Sequence, residues 1–306
     1  MKISMVGSGR VGSTTLFNLL LDGAAQEMVV VDILKDRAEG EALDLLHGTA
    51  LSHRCKIYSA DYDATAGSDI AIITAGIPRQ PGETRLDLLK KNVDLMEGVL
   101  GQLMKYNREL FIIMVANPVD VLTYQAHKRT GLPRSKIIGT GTLLDTTRFR
   151  SLLGEQLNVS PDQVQVYMLG EHGDSMAAVY SSGSVAGVPL DALPGYSQQL
   201  MDRVVEATRF GGAEVIKKKG GTFYSVAPMI TELVRAIRLD EKRVIPVSTL
   251  QDGSHLGMQD ACLSLPTIVG KDGPEQALLP RMSDGEQQAL LNSYSVLRGA
   301  IEEVGL

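Results

Sequence analysis

Through the first half of the chain, short apolar runs alternate with longer stretches of helical spacing. Ile3 to Val6, Met28 to Val31, Ile70 to Thr74 and Phe111 to Val115 are brief, rich in Val and Ile, and apolar on both faces. Such runs predict strands buried on both sides. Between them, Val11 to Leu21, Arg37 to Leu46 and Leu86 to Leu103 repeat apolar residues at the spacing of a helix face. Strand and helix in this rhythm predict an α/β fold with a parallel sheet wound on both faces. Lys136 to Gly139 reads as one more short strand, closing this domain.

The second half has a different grain. Leu143 to Leu153 is helical, Val164 to Leu169 is a strand, and Met176 to Val185 reads as strand interrupted by turns. Tyr196 to Lys219 and Ser225 to Ile237 predict helices, and Arg243 to Leu250 with Leu263 to Val269 predict antiparallel strands. The last helix opens on a capping box, Ser283 with Glu286, and lines Leu290, Tyr294, Leu297, Ile301 and Val304 along one face. That face must pack on its own domain or on a neighbouring subunit. The expectation is two closely packed units, residues 1–141 and an α+β unit over 142–306.

Composition narrows the class. With 306 residues, 44% apolar and 22% charged, the chain can bury substantial cores. A net charge of -6 argues against nucleic acid or an anionic membrane as partner. Two cysteines, Cys55 and Cys262, make no disulfide framework, and no cleavable leader or apolar run of membrane-spanning length is visible. A cytoplasmic protein is expected. His47, His53 and Cys55 lack the paired spacing of zinc ligands, so no metal site is expected.

Gly7-Ser8-Gly9-Arg10-Val11-Gly12 follows the first strand and opens the first helix. Glycines there permit a tight turn and close approach of the backbone to a pyrophosphate, which the helix N-terminus then attracts. Asp32 ends the second strand, 20 residues beyond Gly12, where a carboxylate would bond ribose hydroxyls and repel a 2′-phosphate. A Rossmann domain that binds NAD rather than NADP is the expectation for residues 1–141.

Gly170-Glu171-His172-Gly173-Asp174 sets one of five histidines between glycines just after a strand. An imidazole suits proton transfer near neutral pH, and the glycines leave room for a ligand. Arg79 and Arg85 lie in the Pro- and Gly-containing loop after the third apolar run, beyond a strand's carboxyl end. Arg148 sits three residues after Asp145 on one helical face.

These motifs, with Asn92 and Val115-Ala116-Asn117-Pro118, resemble the lactate/malate dehydrogenase family over essentially the full length. The resemblance implies His172 as proton donor and acceptor, oriented by Asp145. It implies Arg148 on the substrate's C1 carboxylate, and Arg85 on a lid polarising the reacting carbonyl. Asn117 would touch substrate and cofactor; Asn92, Val115 and Ala116 would line the cofactor groove. Thr222 would line the pocket for the substrate's side chain. A homo-oligomer, dimer or tetramer, is also implied.

One lid position separates the two branches, and Arg79 there resembles the malate branch, because a second guanidinium can pair with a distal carboxylate. Glu83 and Gly221-Thr222 resemble the lactate branch. The expectation is a malate dehydrogenase of the tricarboxylic acid cycle acting on malate and oxaloacetate, favouring them over pyruvate on the order of 10²-fold. The alternative is an L-lactate dehydrogenase; a silent NAD-binding sensor is disfavoured by the presence of His172 and the arginines. Arg150 matches the arginine of a sugar-bisphosphate site found in many bacterial lactate enzymes, but Gln165 replaces its histidine, so that activation is not expected. Tyr124 and Lys128 have the spacing of a short-chain dehydrogenase pair, and read instead as structural.

Overall fold

The computed structural model describes residues 1–78, 82 and 84–306, with every side chain among them except that of Arg85. Arg79 and Glu83, on which the substrate reading leaned, lie outside the described residues.

Six short strands build the parallel part of the sheet: β1 (Lys2–Val6), β2 (Glu27–Val31), β3 (Lys56–Ser59), β4 (Ile70–Ile73), β5 (Phe111–Met114) and β6 (Ile137–Gly139). Four helices cross between them: α1 (Arg10–Asp22), α2 (Lys35–Gly48), α3 (Arg85–Tyr106) and α4 (Val119–Thr130). Side chains on a strand alternate between its faces. Accordingly Ile70 and Ile72 of β4 enter a core shared with Leu16 and Leu19 of α1, while Ala71 and Ile73 enter one shared with Met96 and Leu100 of α3. Both faces are buried, which is why these strands are uniformly apolar rather than alternating.

β1 pairs with β2 on one side and β4 on the other. The chain therefore winds outward in both directions from β1, and a crevice opens beyond the carboxyl ends of β1 and β4. Ligands of wound sheets bind at such switch points.

The later elements are α5 (Leu143–Leu157), β7 (Val164–Leu169), β8 (Ala177–Val185), β9 (Val188–Pro189), α6 (Gln198–Lys219), α7 (Val226–Arg238), β10 (Arg243–Asp252), β11 (Gln259–Gly270), β12 (Gly273–Ala277) and α8 (Asp284–Glu303). The strand at Met176 to Val185, expected to be broken by turns, runs from Ala177 as one strand but bulges: Gln165 and Tyr167 of β7 pair with Ser184 and Val179, so the extra residues lie on β8.

β6 does not close the sheet. β10 lies antiparallel beside it through Ser248 and Gly139, and β11 and β12 extend the sheet to nine strands among the described residues. A three-residue strand left at an edge would expose unpaired backbone groups. The hairpin that covers it lies about 100 residues further along the chain, beyond the reach of any local pattern. α7 likewise packs on α1, so Ile230, Leu233 and Val234 enter the same core as β1 and β2.

The last helix caps as expected, with Ser283 accepting from the Glu286 N–H and Glu286 from the Ser283 N–H. Its apolar face packs on its own chain: Leu290, Leu297 and Ile301 are buried against Leu263 and Leu265 of β11. Among the described residues no helix is long and apolar enough to cross a membrane.

Candidate active site

At the switch point, backbone does most of the construction. Gly7 has φ +101°, and a Cβ there would lie 2.6 Å from the Ala75 nitrogen. A Cβ on Gly12 would lie 2.0 Å from the Gly7 carbonyl oxygen, so helix and turn touch only because neither residue has a side chain. Gly9 caps α1 without a side chain and faces open space, leaving the first-turn N–H groups without a side-chain cap. Thr74 donates to the Gly7 carbonyl at 2.8 Å and fixes the turn.

Asp32 accepts from the Ser8 N–H (2.6 Å), the Ser8 hydroxyl (2.9 Å) and the Leu34 N–H (2.9 Å). Partial burial works against its ionised form, but these bonds win and hold its pKa below the ordinary carboxylate value. An anion-attracting helix end without a side-chain cap, beside a half-buried ionised carboxylate, fits the pyrophosphate and ribose of a dinucleotide.

Val115 and Ala116 both donate backbone N–H groups to the Ile73 carbonyl, and Asn117 stands exposed at the head of α4. Asn92 is buried, and its amide is spent on Ile77, accepting from the N–H at 2.7 Å and donating to the carbonyl at 3.1 Å. It clamps the start of the segment that carries Arg79 in sequence. Arg10 reaches from α1 to the Lys219 carbonyl (3.3 Å) and the Phe223 ring. This contact brings the glycine turn against the segment bearing Thr222, whose hydroxyl lies 3.3 Å from that of Ser225.

The residues expected to transfer the proton come from two elements. Asp145 is in the first turn of α5, where a carboxylate complements the helix dipole, and it is buried. One of its oxygens lies 2.6 Å from His172 Nδ1; the other accepts from Arg148 Nη1 at 3.0 Å. Arg148 Nη1 also donates to the Thr208 carbonyl. Gly211 makes room for this guanidinium, since a Cβ there would sit 2.4 Å from Arg148 Cδ.

Burial disfavours the charged imidazole, yet the Asp145 carboxylate more than reverses this and, with Asp120, raises the His172 pKa to about 9. Asp145 is correspondingly held below its ordinary value, burial being outweighed by His172 and Arg148. The loop is tied to the main sheet by paired backbone bonds between Gly170 and Ser264 of β11. The side chain of Arg85, expected on the reacting carbonyl, lies outside the described residues.

Two contacts of this loop escape sequence reasoning. The Asp120 carboxylate accepts from the His172 N–H at 2.7 Å, and the Ser293 hydroxyl of α8 accepts from the Glu171 N–H at 2.7 Å. Asp120 lies two residues past the Asn117-Pro118 motif; its burial in a helix, rather than its type, marks it.

Comparison with known proteins decides the family. Residues 1–139 match the sequence model described as lactate/malate dehydrogenase, NAD binding domain, and residues 142–305 that of its alpha/beta C-terminal domain. The chain belongs to the lactate/malate dehydrogenase family. It is an NAD-dependent 2-hydroxy-acid dehydrogenase of that family, with a Rossmann-like parallel sheet followed by an α/β domain.

Its relatives within the family correct the substrate expectation. The L-lactate dehydrogenase of Acetivibrio thermocellus is 40% identical, the match covering 100% of this chain and 98% of that protein. That of Clostridium botulinum strain Hall is 40% identical over 98% of this chain and 96% of its own. Among solved structures, the minor L-lactate dehydrogenase of Enterococcus mundtii superposes with a TM-score of 0.96 at 34% identity, covering 100% of this chain and 98% of that one. A lactate dehydrogenase from a Medee basin deep-sea metagenome library also gives 0.96, at 32% identity, covering 100% and 99%. These likenesses overturn the reading of a malate dehydrogenase of the tricarboxylic acid cycle. The physical reason is that substrate choice sums over many pocket contacts, of which one guanidinium supplies a single term. Full-length likeness weighs that whole pocket; the Arg79 argument weighed one residue of it.

The residues set aside earlier have structural surroundings. Tyr124 is buried with the Lys128 ammonium 5.0 Å from its ring centre. Arg150 donates to the Val166 carbonyl and lies over the Tyr167 ring, with Gln165 exposed on β7.

Proposed function

We propose that this protein is an L-lactate dehydrogenase, interconverting pyruvate and L-lactate with NAD. The observation that carries the substrate is the full-length 40% identity to proteins named L-lactate dehydrogenase; Glu83 and Gly221-Thr222 agree with it. Residues 1–141 form the nucleotide-binding unit and 142–306 the catalytic one.

NADH supplies the hydride when bound. The Gly7–Gly12 turn, Ser8, Arg10 and Val11 among it, receives the pyrophosphate, and Asp32 the adenosine ribose. Val115, Ala116 and Asn117 form the wall beside them, supported by Asn92. With Nδ1 bonded to Asp145, protonated His172 presents Nε2 to the substrate oxygen and delivers the proton there in the reductive direction. Arg148 holds the substrate carboxylate and is itself positioned by Asp145. Arg85 polarises the carbonyl, on the strength of the family motif, and Thr222 borders the methyl group. The protein acts as a homo-oligomer, supported by the exposed apolar side chains Phe17, Leu21, Leu43, Leu46 and Leu51. A reducing, cytoplasmic setting is supported by two free, buried thiols.

The test is NADH oxidation by purified protein with pyruvate and with oxaloacetate side by side. We expect kcat/KM to favour pyruvate by about 10-fold or more. A preference for oxaloacetate would overturn the substrate assignment and leave the hydride chemistry intact.

A further inference from the structure

The His172 loop is held by a carboxylate that the proton-transfer chemistry above does not use. Asp120, in the first turn of α4, is 2% exposed. One of its oxygens accepts from the backbone N–H of His172 at 2.7 Å; the other is buried without a hydrogen-bond partner. The Ser248 hydroxyl of β10, also buried, meets no hydrogen-bond geometry but faces this carboxylate closely enough to favour its ionised form. Burying a carboxylate this way is costly unless it does something where it stands. A helix, a strand and the catalytic loop converge on this one side chain, the helix from the first half of the chain and the other two from the second.

We propose that Asp120 is a positioning residue of the active site, a second carboxylate that holds His172 by its backbone while Asp145 holds it by its ring. This rests on the reading of His172 as the proton donor. A backbone N–H bonded to a buried anion pins the His172 peptide, so that Nε2 keeps its direction as substrate comes and goes. The negative charge also adds to that of Asp145 in stabilising the imidazolium.

The charged groups facing this pair are known from every side. Asp145 and Arg148 come from α5, Glu171 from the loop itself and the Cys262 thiol from β11. Burial raises the Asp120 pKa to about 6, against the pull of Ser248 and His172. The catalytic imidazole therefore sits between a carboxylate ionised throughout the working range and one that loses its charge at the acid end of it.

The test uses the full-length protein, reading kcat/KM for pyruvate from about pH 5 to pH 11 with NADH. Asp120→Asn keeps an oxygen to accept from the His172 N–H and removes the charge; Asp120→Ala removes both. For Asp120→Asn we expect the alkaline fall in rate to move down by on the order of one pH unit from its wild-type place. Asp120→Ala should show that shift and also lose about 10-fold or more on the plateau, with NADH affinity within about 2-fold of wild type. An alkaline limb unmoved in a folded Asp120→Asn protein overturns the proposal.

Should the variants not fold, the ring nitrogens of His172 followed by NMR in the wild-type enzyme decide it. A first small inflection near the Asp120 pKa, before the ring's own titration, supports the pairing, and a single-step titration overturns it. A fully active His172→Asn protein would instead sink the proton-donor reading itself, a failure separate from that of Asp120.

Discussion

The nucleotide crevice and the proposed proton-transfer centre are built on opposite plans. The crevice is made mainly of backbone, and its glycine turn is contiguous in sequence. Gly7, Gly9 and Gly12 matter for the side chains they lack, and Ser8 and Asp32 tie the turn to the next strand. The centre is made of side chains from distant segments. Asp145 and Arg148 come from α5, His172 from the loop after β7, Asp120 from α4 and Ser293 from α8. The crevice is shaped by what can approach; the centre is shaped by charges that burial makes expensive apart and stable together. Substitutions should therefore act differently in the two regions. Damage in the crevice shows in cofactor affinity, and damage in the centre shows in turnover and its pH dependence.

The largest effect should come from His172→Asn. Losing the proton donor should lower kcat for pyruvate reduction by about 10³-fold, near 4 kcal/mol, with NADH affinity changed little. In the wild type, reduction needs the imidazolium, so the rate should hold through neutrality and fall as pH rises past about 9, while lactate oxidation, needing the neutral ring, should rise over the same span. A pH–rate profile in both directions checks this. Gly12→Ala should come next, since its methyl would meet the Gly7 carbonyl at 2.0 Å. Calorimetric NADH binding should weaken by about 10²-fold, with kcat at saturating cofactor far less affected. An equal loss in kcat and affinity would erase the contrast between the two regions. The smallest change should follow Asp32→Ser, which removes the charge facing the ribose. The ratio of kcat/KM for NADH over NADPH should fall by about 10-fold.

This contrast also accounts for what could be read in advance. The parallel strands, the helices between them and the glycine turn were legible, because burial on both faces and close backbone approach leave marks in adjacent residues. The α8 capping box was legible for the same reason. The closing of the sheet was not: β6 and β10 meet through Gly139 and Ser248, and neither segment's pattern names its partner. Asp120 and Ser293 escaped attention because an aspartate or serine in a helix is ordinary until burial and a partner make it otherwise. The substrate was misread because Arg79 was weighed as a single residue, while specificity belongs to a pocket.

By itself, then, the sequence determined the α/β plan and the glycine turn of an NAD-binding domain, since each rests on short-range spacing. Only the tertiary structure decided that Asp145 bridges His172 and Arg148, that Asp120 and Ser293 grip the same loop, and that the sheet runs on through the second half. Those arrangements follow from pairing charges and edges that are far apart along the chain. Such pairing is driven by the cost of leaving them alone in the interior, a cost that exists only once the chain has folded.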